Sequence, residues 1–499
     1  MNQRVLVASN RGPVSYQFGA DGSLTGSRGG GGMIAGVADG LAALGPEASA
    51  TWICAALSDA DRAVARQDTG RRDEGGIPVR MLDIPADVFD RAYNNVANSA
   101  LWFVHHMLFD TPNQPQFKHG FRRDWEAYLA YNAAFADAVA EEAAREQPPS
   151  GRLRVLIQDY HLCLTPRLLR ERLGDITRDA GIGHFCHTPW APPDYYRLLP
   201  ADVGQALLDG MLGADRAGFH AERWAAAFMD CCAALLGAEV ERTGLPAGQD
   251  RGPVGQVTYQ GHVTEVAVHP LGVDAAELRA RARAGDVQAH VSALRRAAGD
   301  RKLIVRVDRT ELSKNIVRGL EAYRELLATR PQWRSRVVHL VFAYPSRSAV
   351  PEYRAYTDRV RQLALEITEE FGTADWDPLI LEVKDDYPRS LAAYALADVL
   401  LVNPIRDGMN LVAQEGVVLA ERGCALVLSR EAGAAATLAS DALLVNPFDV
   451  TETAEALHRA LAMSDTERQR RGAALAATAA ADPPARWLGG QLASHGPGS

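Results

Sequence analysis

Two stretches of this chain place residues where chemistry on phosphates would need them. Val307-Asp308-Arg309-Thr310-Glu311-Leu312-Ser313-Lys314-Asn315 sets two cations, Arg309 and Lys314, five residues apart on one loop. Arginine offers a planar fork and lysine a compact point charge, a combination that suits a diphosphate. Surface salt bridging would use the same residues. Pro404-Ile405-Arg406-Asp407-Gly408-Met409-Asn410-Leu411-Val412, with Gln414-Glu415 behind it, reads as a strand end running into a helix start. Backbone N–H groups from Gly408 to Val412 would then sit at a helix N-terminus, where anions are favoured. Glu415, about one turn in, is placed to accept hydrogen bonds from ribose hydroxyls. A chance Asp-Gly helix start is the plain alternative.

Three further strand ends carry polar side chains. Ser9-Asn10-Arg11-Gly12-Pro13 presents Arg11, a bidentate holder of a carboxylate or a phosphate. The run Gly29 to Gly32 that follows opens a helical pattern over 34–44, and its N–H groups, Gly30 among them, suit an anion. A tetraglycine is equally a plain loop. Ile157-Gln158-Asp159-Tyr160-His161 puts a carboxylate just past a buried strand, which is costly unless the group is paired or used. Capping of the next helix would also explain it. In His184-Phe185-Cys186-His187-Thr188-Pro189-Trp190, the Thr-Pro pair favours an extended exit that would aim the His187 ring into the cleft. A lone histidine is more often structural.

Such strand ends need a frame. Short apolar runs at 5–9, 51–55, 155–158, 183–187, 216–219, 303–307, 337–342, 379–383, 399–402 and 425–428 alternate with helical patterns at 125–145, 221–236, 318–329 and 352–370. That alternation predicts parallel α/β sheets. The segment 239–256 reads as the most loop-like, and 263–274 as a strand ending in a Pro/Gly turn. A first domain over 1–269 and a second over 270–470 follow. The Ala-rich 471–499, broken at Pro483 and Pro484, is expected to pack back on the first domain. Two such domains, with strand ends facing each other, would leave a deep cleft.

Length and composition agree. The chain has 499 residues, 47% of them hydrophobic and 23% charged, as in a globular protein of two or three domains. A net charge of −9 argues against a nucleic-acid partner. The six cysteines lie in apolar stretches without CxxC spacing and read as reduced, buried thiols. No apolar run reaches the roughly 18 residues that span a bilayer. The apolar run at 5–8 is too short for a secretion signal, so the expected location is the cytoplasm, with no membrane partner.

Together these motifs resemble the trehalose-6-phosphate synthases, retaining glycosyltransferases of the GT-B fold. The resemblance runs from residue 5 to about 449 and rests on SNR, YNNVANSALWFVHH, DYH, HTPW, GFHAE, the Arg309/Lys314 loop, PSR, RDGMNLVAQE, SREAGAA and VNPFD. It implies transfer of glucose from a nucleoside-diphosphate glucose to glucose 6-phosphate. It also implies roles. Arg11, Tyr93, Trp102 and Arg347 would hold the acceptor, the two arginines on its phosphate. Asp159 and His187 would bind sugar hydroxyls near the reacting carbon. Arg309 and Lys314 would neutralise the departing diphosphate. Asp407, Gly408, Met409, Asn410, Leu411 and Val412 would hold the donor glucose and phosphate, with Glu415 on the ribose and Gly30 near the phosphates. No metal or other cofactor is implied, and a homo-oligomer is compatible with the resemblance.

Three details depart from the family pattern. HTPW stands for an HIPF-like motif, Asn315 for a glycine after the lysine, and DRTELSK for a DYSK-type loop. With 190–200 and 210–224, these also resemble validoxylamine-phosphate synthase, a pseudo-glycosyltransferase that joins a GDP-linked cyclitol to an amino-cyclitol phosphate. The expected donor is therefore GDP-glucose ahead of UDP-glucose. Arg11, Arg347 and RDGMNLV favour true glucose transfer. A catalytically silent sugar-phosphate sensor would have lost Arg309 or Lys314, and both are present.

Overall fold

The computed structural model describes residues 2–28, 32–45, 48–67, 71–74, 77–145, 151–174, 180–347 and 350–493. The chain forms two compact units, Met1–Pro270 with Pro484–Ser499, and Leu271–Pro483.

The described residues of the first unit include a ten-stranded sheet. At its centre, Ile77–Leu82, Ala48–Ala55, Asn2–Ser9, Gly151–Gln158, Gly181–Cys186, Arg216–Phe219 and His262–Val268 lie side by side and parallel. Chain order reverses between Asn2–Ser9 and Gly151–Gln158, which are neighbours although some 140 residues apart. In open α/β sheets such a switch point leaves a crevice beyond the carboxyl ends of the two strands. Arg11 follows one of these ends and Asp159 the other.

The second unit has six parallel strands, in the order Leu379–Val383, Val337–Tyr344, Lys302–Arg309, Val399–Val402, Ala425–Ser429, Leu443–Val445. This is the doubly wound arrangement of dinucleotide-binding domains. The central strands are continuous apolar runs because helices cover both faces of the sheet; every residue of Val399–Val402 is buried. Here the switch point falls between Lys302–Arg309 and Val399–Val402, so the Arg309/Lys314 loop and the Asp407 turn leave the sheet side by side.

Two sequence expectations change. The segment 239–256 contains the edge strand Glu239–Arg242 and the start of its neighbour Gly252–Tyr259, paired antiparallel. The first is mostly exposed and the second opens on Gly-Pro, which hides a strand signal that depends on a buried face. At the other end, helix Asp465–Ala480 belongs to the second unit, where Leu475 and Ala479 are buried. The residues that join the first unit thus begin at Pro484 rather than 471. Their helix, Pro484–Leu492, packs on helix Gly32–Ala42, and Gly40 makes room: a Cβ there would come within 2.6 Å of Leu488 Cβ. Trp487 is fully buried, edge-on to Phe185 at 5.2 Å. The six cysteines are free and buried.

Candidate active site

In the first unit, Asp159 has φ 75°, a conformation strained for a residue with a Cβ. Both sides of it are anchored. Its N–H donates to Phe185 O at 2.7 Å, and its carbonyl accepts from Leu162 N at 3.1 Å and lies 3.2 Å from His184 Nε2. Burial pushes His184 down to about 4, so its ring is neutral and Nε2 carries the proton for that bond. The strained backbone sends the carboxylate to the backbone N–H of His187, which donates to Oδ1 at 3.1 Å; His161 Nδ1 stands 3.7 Å from Oδ2. Strain held this firmly is a mark of functional residues.

Aromatic side chains converge on the same turn. Tyr93, on a π-helical stretch Arg91–Leu101, stacks on His161 at 5.6 Å and on Phe89 at 5.2 Å. Trp102 stacks on His106 at 3.9 Å and tilts against Tyr160 at 5.7 Å. With 7% of its surface exposed, Trp102 offers a ligand little more than an edge. Arg11 is exposed, in a turn fastened by Ser9 Oγ donating to Arg11 O at 2.6 Å.

The His187 ring lies within the protein's own network. Gln158 Nε2 donates to Gln491 Oε1 at 3.1 Å, which leaves Gln158 Oε1 to accept from His187 Nε2 at 2.9 Å. His187 Nδ1 then accepts from His220 Nε2 at 3.2 Å. Burial, with His220 and His184 adding to it, holds His187 well below its ordinary range, as this neutral arrangement requires. Both ring nitrogens are thereby engaged, and the part of His187 that meets Asp159 is its backbone.

In the second unit the two cations are tied to carboxylates. Lys314 Nζ donates to Asp407 Oδ2, with 13% and 15% of the two side chains exposed. Asn410 Nδ2 reaches the same oxygen at 3.1 Å, while its Oδ1 caps helix Leu411–Leu419 by accepting from Ala413 N. The Asp407 turn is clamped to the segment after Ala425–Ser429: Gly433 N donates to Asp407 O, and a Cβ on Gly433 would come within 1.9 Å of Gly408 O. Arg309, half-exposed, pairs with Glu311 at 3.0 Å; Ser346 Oγ donates to the same Glu311 oxygen at 2.9 Å. Burial raises the Glu311 carboxyl, but Arg309, then Arg347 and Lys314, overcome it and bring it to about 2. One buried anion therefore gathers three of the expected cations. Arg347 itself, at φ 47°, donates to Tyr353 OH at 2.7 Å.

Glu415 is half-buried and has no hydrogen-bond or ion-pair partner among the described residues. Burial pushes it up to about 7. Its charge reaches the hydroxyls of Tyr344, Tyr387 and Tyr394. An unpaired carboxylate one turn into a helix that opens at a phosphate-type turn is a group in want of a donor.

Asn315 accounts for one departure from the family pattern. Its φ is 59°, which glycine or asparagine adopts with least cost. Its Nδ2 donates to Asn403 O at 3.0 Å and Pro447 O at 2.7 Å. Asn315→Gly should keep the backbone and lose these bonds, lowering stability by about 1–2 kcal/mol in urea titration. An unchanged midpoint would refute the contribution of the amide.

Sequence reasoning gave Glu311 and Arg306 no role. The signal for Arg306 is a charge inside the apolar run Lys302–Arg309; for Glu311 it is a carboxylate between two cations. Gly30 lies outside the described residues.

The model of glycosyltransferase family 20 matches residues 3–494. The chain belongs to that family. The alpha,alpha-trehalose-phosphate synthase [UDP-forming] of Schizosaccharomyces pombe is 32% identical over 471 residues, 94% of this chain and 85% of that protein. A UDP-forming synthase of Burkholderia xenovorans, solved with glucose-6-phosphate, superposes with a TM-score of 0.80 at 26% identity, covering 97% of this chain and 98% of that one. The N-terminal domain of Candida albicans trehalose-6-phosphate phosphatase gives 0.81 at 25% identity, covering 98% and 95%. This family member is a glycosyltransferase of the GT-B fold. No described helix is long and apolar enough to cross a membrane.

Proposed function

We propose that this family 20 enzyme transfers glucose, with retention, from a nucleoside-diphosphate glucose to glucose 6-phosphate, giving α,α-trehalose 6-phosphate, the nucleoside diphosphate and a proton. The observation that carries this reading is the cation cluster of Arg309, Lys314 and Arg347 around Glu311 and Asp407. Arg309 and Lys314 meet the departing diphosphate. Asp407 to Val412 hold its glucose and phosphate, and Glu415 the ribose. Arg347 and Arg11 take the acceptor phosphate, with Tyr93 and Trp102 beside the sugar. Asp159 binds a sugar hydroxyl, and His187 positions it. Charge grows on the diphosphate as the glycosidic carbon becomes cationic, so preorganised cations act where they are worth most. The transfer needs no metal in this reading, and a chelator should leave it unchanged.

For the base of the donor, uridine has the support of the relatives, which are named UDP-forming and give no support to the GDP-glucose expected from the sequence. A guanine reading has one observation of its own. Asp385 is exposed, has no hydrogen-bond or ion-pair partner among the described residues, and acts electrostatically on Tyr344 beside Glu415. Guanine offers adjacent N–H donors that a carboxylate accepts in pairs; uracil offers one between two carbonyls. The test is a panel of nucleoside-diphosphate glucoses with glucose 6-phosphate, followed by product mass. No trehalose 6-phosphate from any donor would overturn the reading, and turnover only with a GDP-cyclitol and an amino-cyclitol phosphate would replace it. Asp385→Asn should shift any guanine preference toward uracil.

Glu415 gives the reaction a pH dependence. A carboxyl at about 7 loses its charge as pH falls through that value, and a neutral carboxyl is the poorer acceptor for ribose hydroxyls. The donor KM should rise below pH 7, by up to about tenfold per pH unit. In Glu415→Gln the donor KM should be raised about tenfold at pH 8 and lose this acid limb. A limb that persists in the variant would assign it elsewhere.

A further inference from the structure

The second unit contains a solvent-open recess of about 560 Å³, lined by none of the residues assigned above. That volume falls in the range of small-molecule sites, roughly 300–1,000 Å³. Its floor is the carboxyl end of helix Leu411–Leu419 and one face of helix Asp465–Ala480. Arg279, Arg283 and Arg422 line it, together with Gln288, Gln469 and Glu421. Glu421 is already engaged by Arg295 at 3.0 Å.

None of the three lining arginines has a side-chain hydrogen bond, ion pair or ring partner among the described residues. Their neighbours differ: Arg281 is closed by Asp286 at 2.6 Å, and Arg468 by Asp465 at 2.8 Å. In a chain of net charge −9, with 62 acidic residues against 53 basic, three guanidinium groups share one hollow whose one lining carboxylate, Glu421, is paired with Arg295 outside it. A phosphate offers such unpaired guanidinium groups a bidentate, charge-assisted partner. The nearby helix end repels anions, so the attraction must come from the arginines themselves.

We propose that this recess binds a small phosphorylated metabolite carrying at least two negative charges, its phosphates on Arg279, Arg283 and Arg422 and its hydroxyls toward Gln288 and Gln469. The ligand would rest against the far end of the helix whose first turn is the proposed donor site, about 13 Å away along nine residues.

The probe is inorganic pyrophosphate, titrated calorimetrically into the full chain carrying Arg11→Ala, Arg309→Ala, Lys314→Ala and Arg347→Ala, which disables the proposed donor and acceptor phosphate sites. One saturable site is expected. Adding Arg279→Ala, Arg283→Ala and Arg422→Ala should weaken it about tenfold or more with the melting midpoint unchanged, since all three side chains are exposed. Lysine at the three positions should recover part of the loss. Absence of saturable binding in that fourfold variant, or binding indifferent to the three recess arginines, would overturn the site. Citrate binding as tightly as pyrophosphate would overturn the assignment to phosphate.

Discussion

Replacing Lys314 by alanine should lower kcat about 100- to 1,000-fold while changing the KM for glucose 6-phosphate only slightly. The reason lies in where charge grows. Lys314 is paired with Asp407, at the turn proposed to hold the donor. A diphosphate entering that turn competes for the ammonium, and its demand rises as the bond to glucose breaks. The interaction is then stronger in the transition state than in the ground state, which is the condition for an effect on kcat. Removing Lys314 also strips Asp407 and Asp308 of a cation. The variant Lys314→Ala/Asp407→Asn separates the two effects. If it regains most of the activity, Lys314 only balances Asp407, and the role on the leaving group is lost. If the double variant stays well below Asp407→Asn alone, with acceptor KM near the wild-type value, the lysine acts on the diphosphate.

How far the sequence could carry this depended on the kind of signal. Val399–Val402 and Val337–Tyr344 are apolar runs between turn residues, and such runs are legible as strands because a doubly covered sheet demands them. The motifs at their ends were legible for the same reason: a polar group just past a buried strand is conspicuous. What the sequence concealed was orientation. Nothing in Gln-Asp-Tyr-His shows that Asp159 turns to φ 75°, since that follows from Phe185 and His184 on the neighbouring strand. Nor does it show that Gln158 and His220 engage both nitrogens of the His187 ring. These are tertiary contacts between segments tens of residues apart. The break at Pro483 and Pro484 was visible, but its meaning was not. The helical patterns on either side do not reveal their partners until Leu475 and Trp487 are seen in different cores.

Arg306 carries the largest expected effect on stability. It is fully buried in the strand that leads to Arg309, with Nε 3.0 Å from Asp308, Nη1 donating to Asn403 Oδ1 at 2.5 Å, and Nη2 to Lys314 O. It thus ties together both strand ends of the switch point and the backbone of Lys314. Methionine would fill the space and satisfy none of these groups. Breaking one partner from a buried pair costs about 3–5 kcal/mol, far more than a surface ion pair is worth. The sign of the pH dependence follows from Asp308. Burial already lifts it to about 6, with Arg306 drawing it back. A carboxyl raised above its unfolded value of about 3.9 favours the folded state below that value, and the advantage is lost as pH rises through the folded value. Without Arg306 the folded value climbs further. The deficit of Arg306→Met against wild type should therefore be larger at pH 8 than at pH 5 in urea titrations. Arg306→Met/Asp308→Asn should recover part of the loss and flatten that difference. If the single variant unfolds within about 1 kcal/mol of wild type at both pH values, the buried pair is not what holds the Lys314 loop in register.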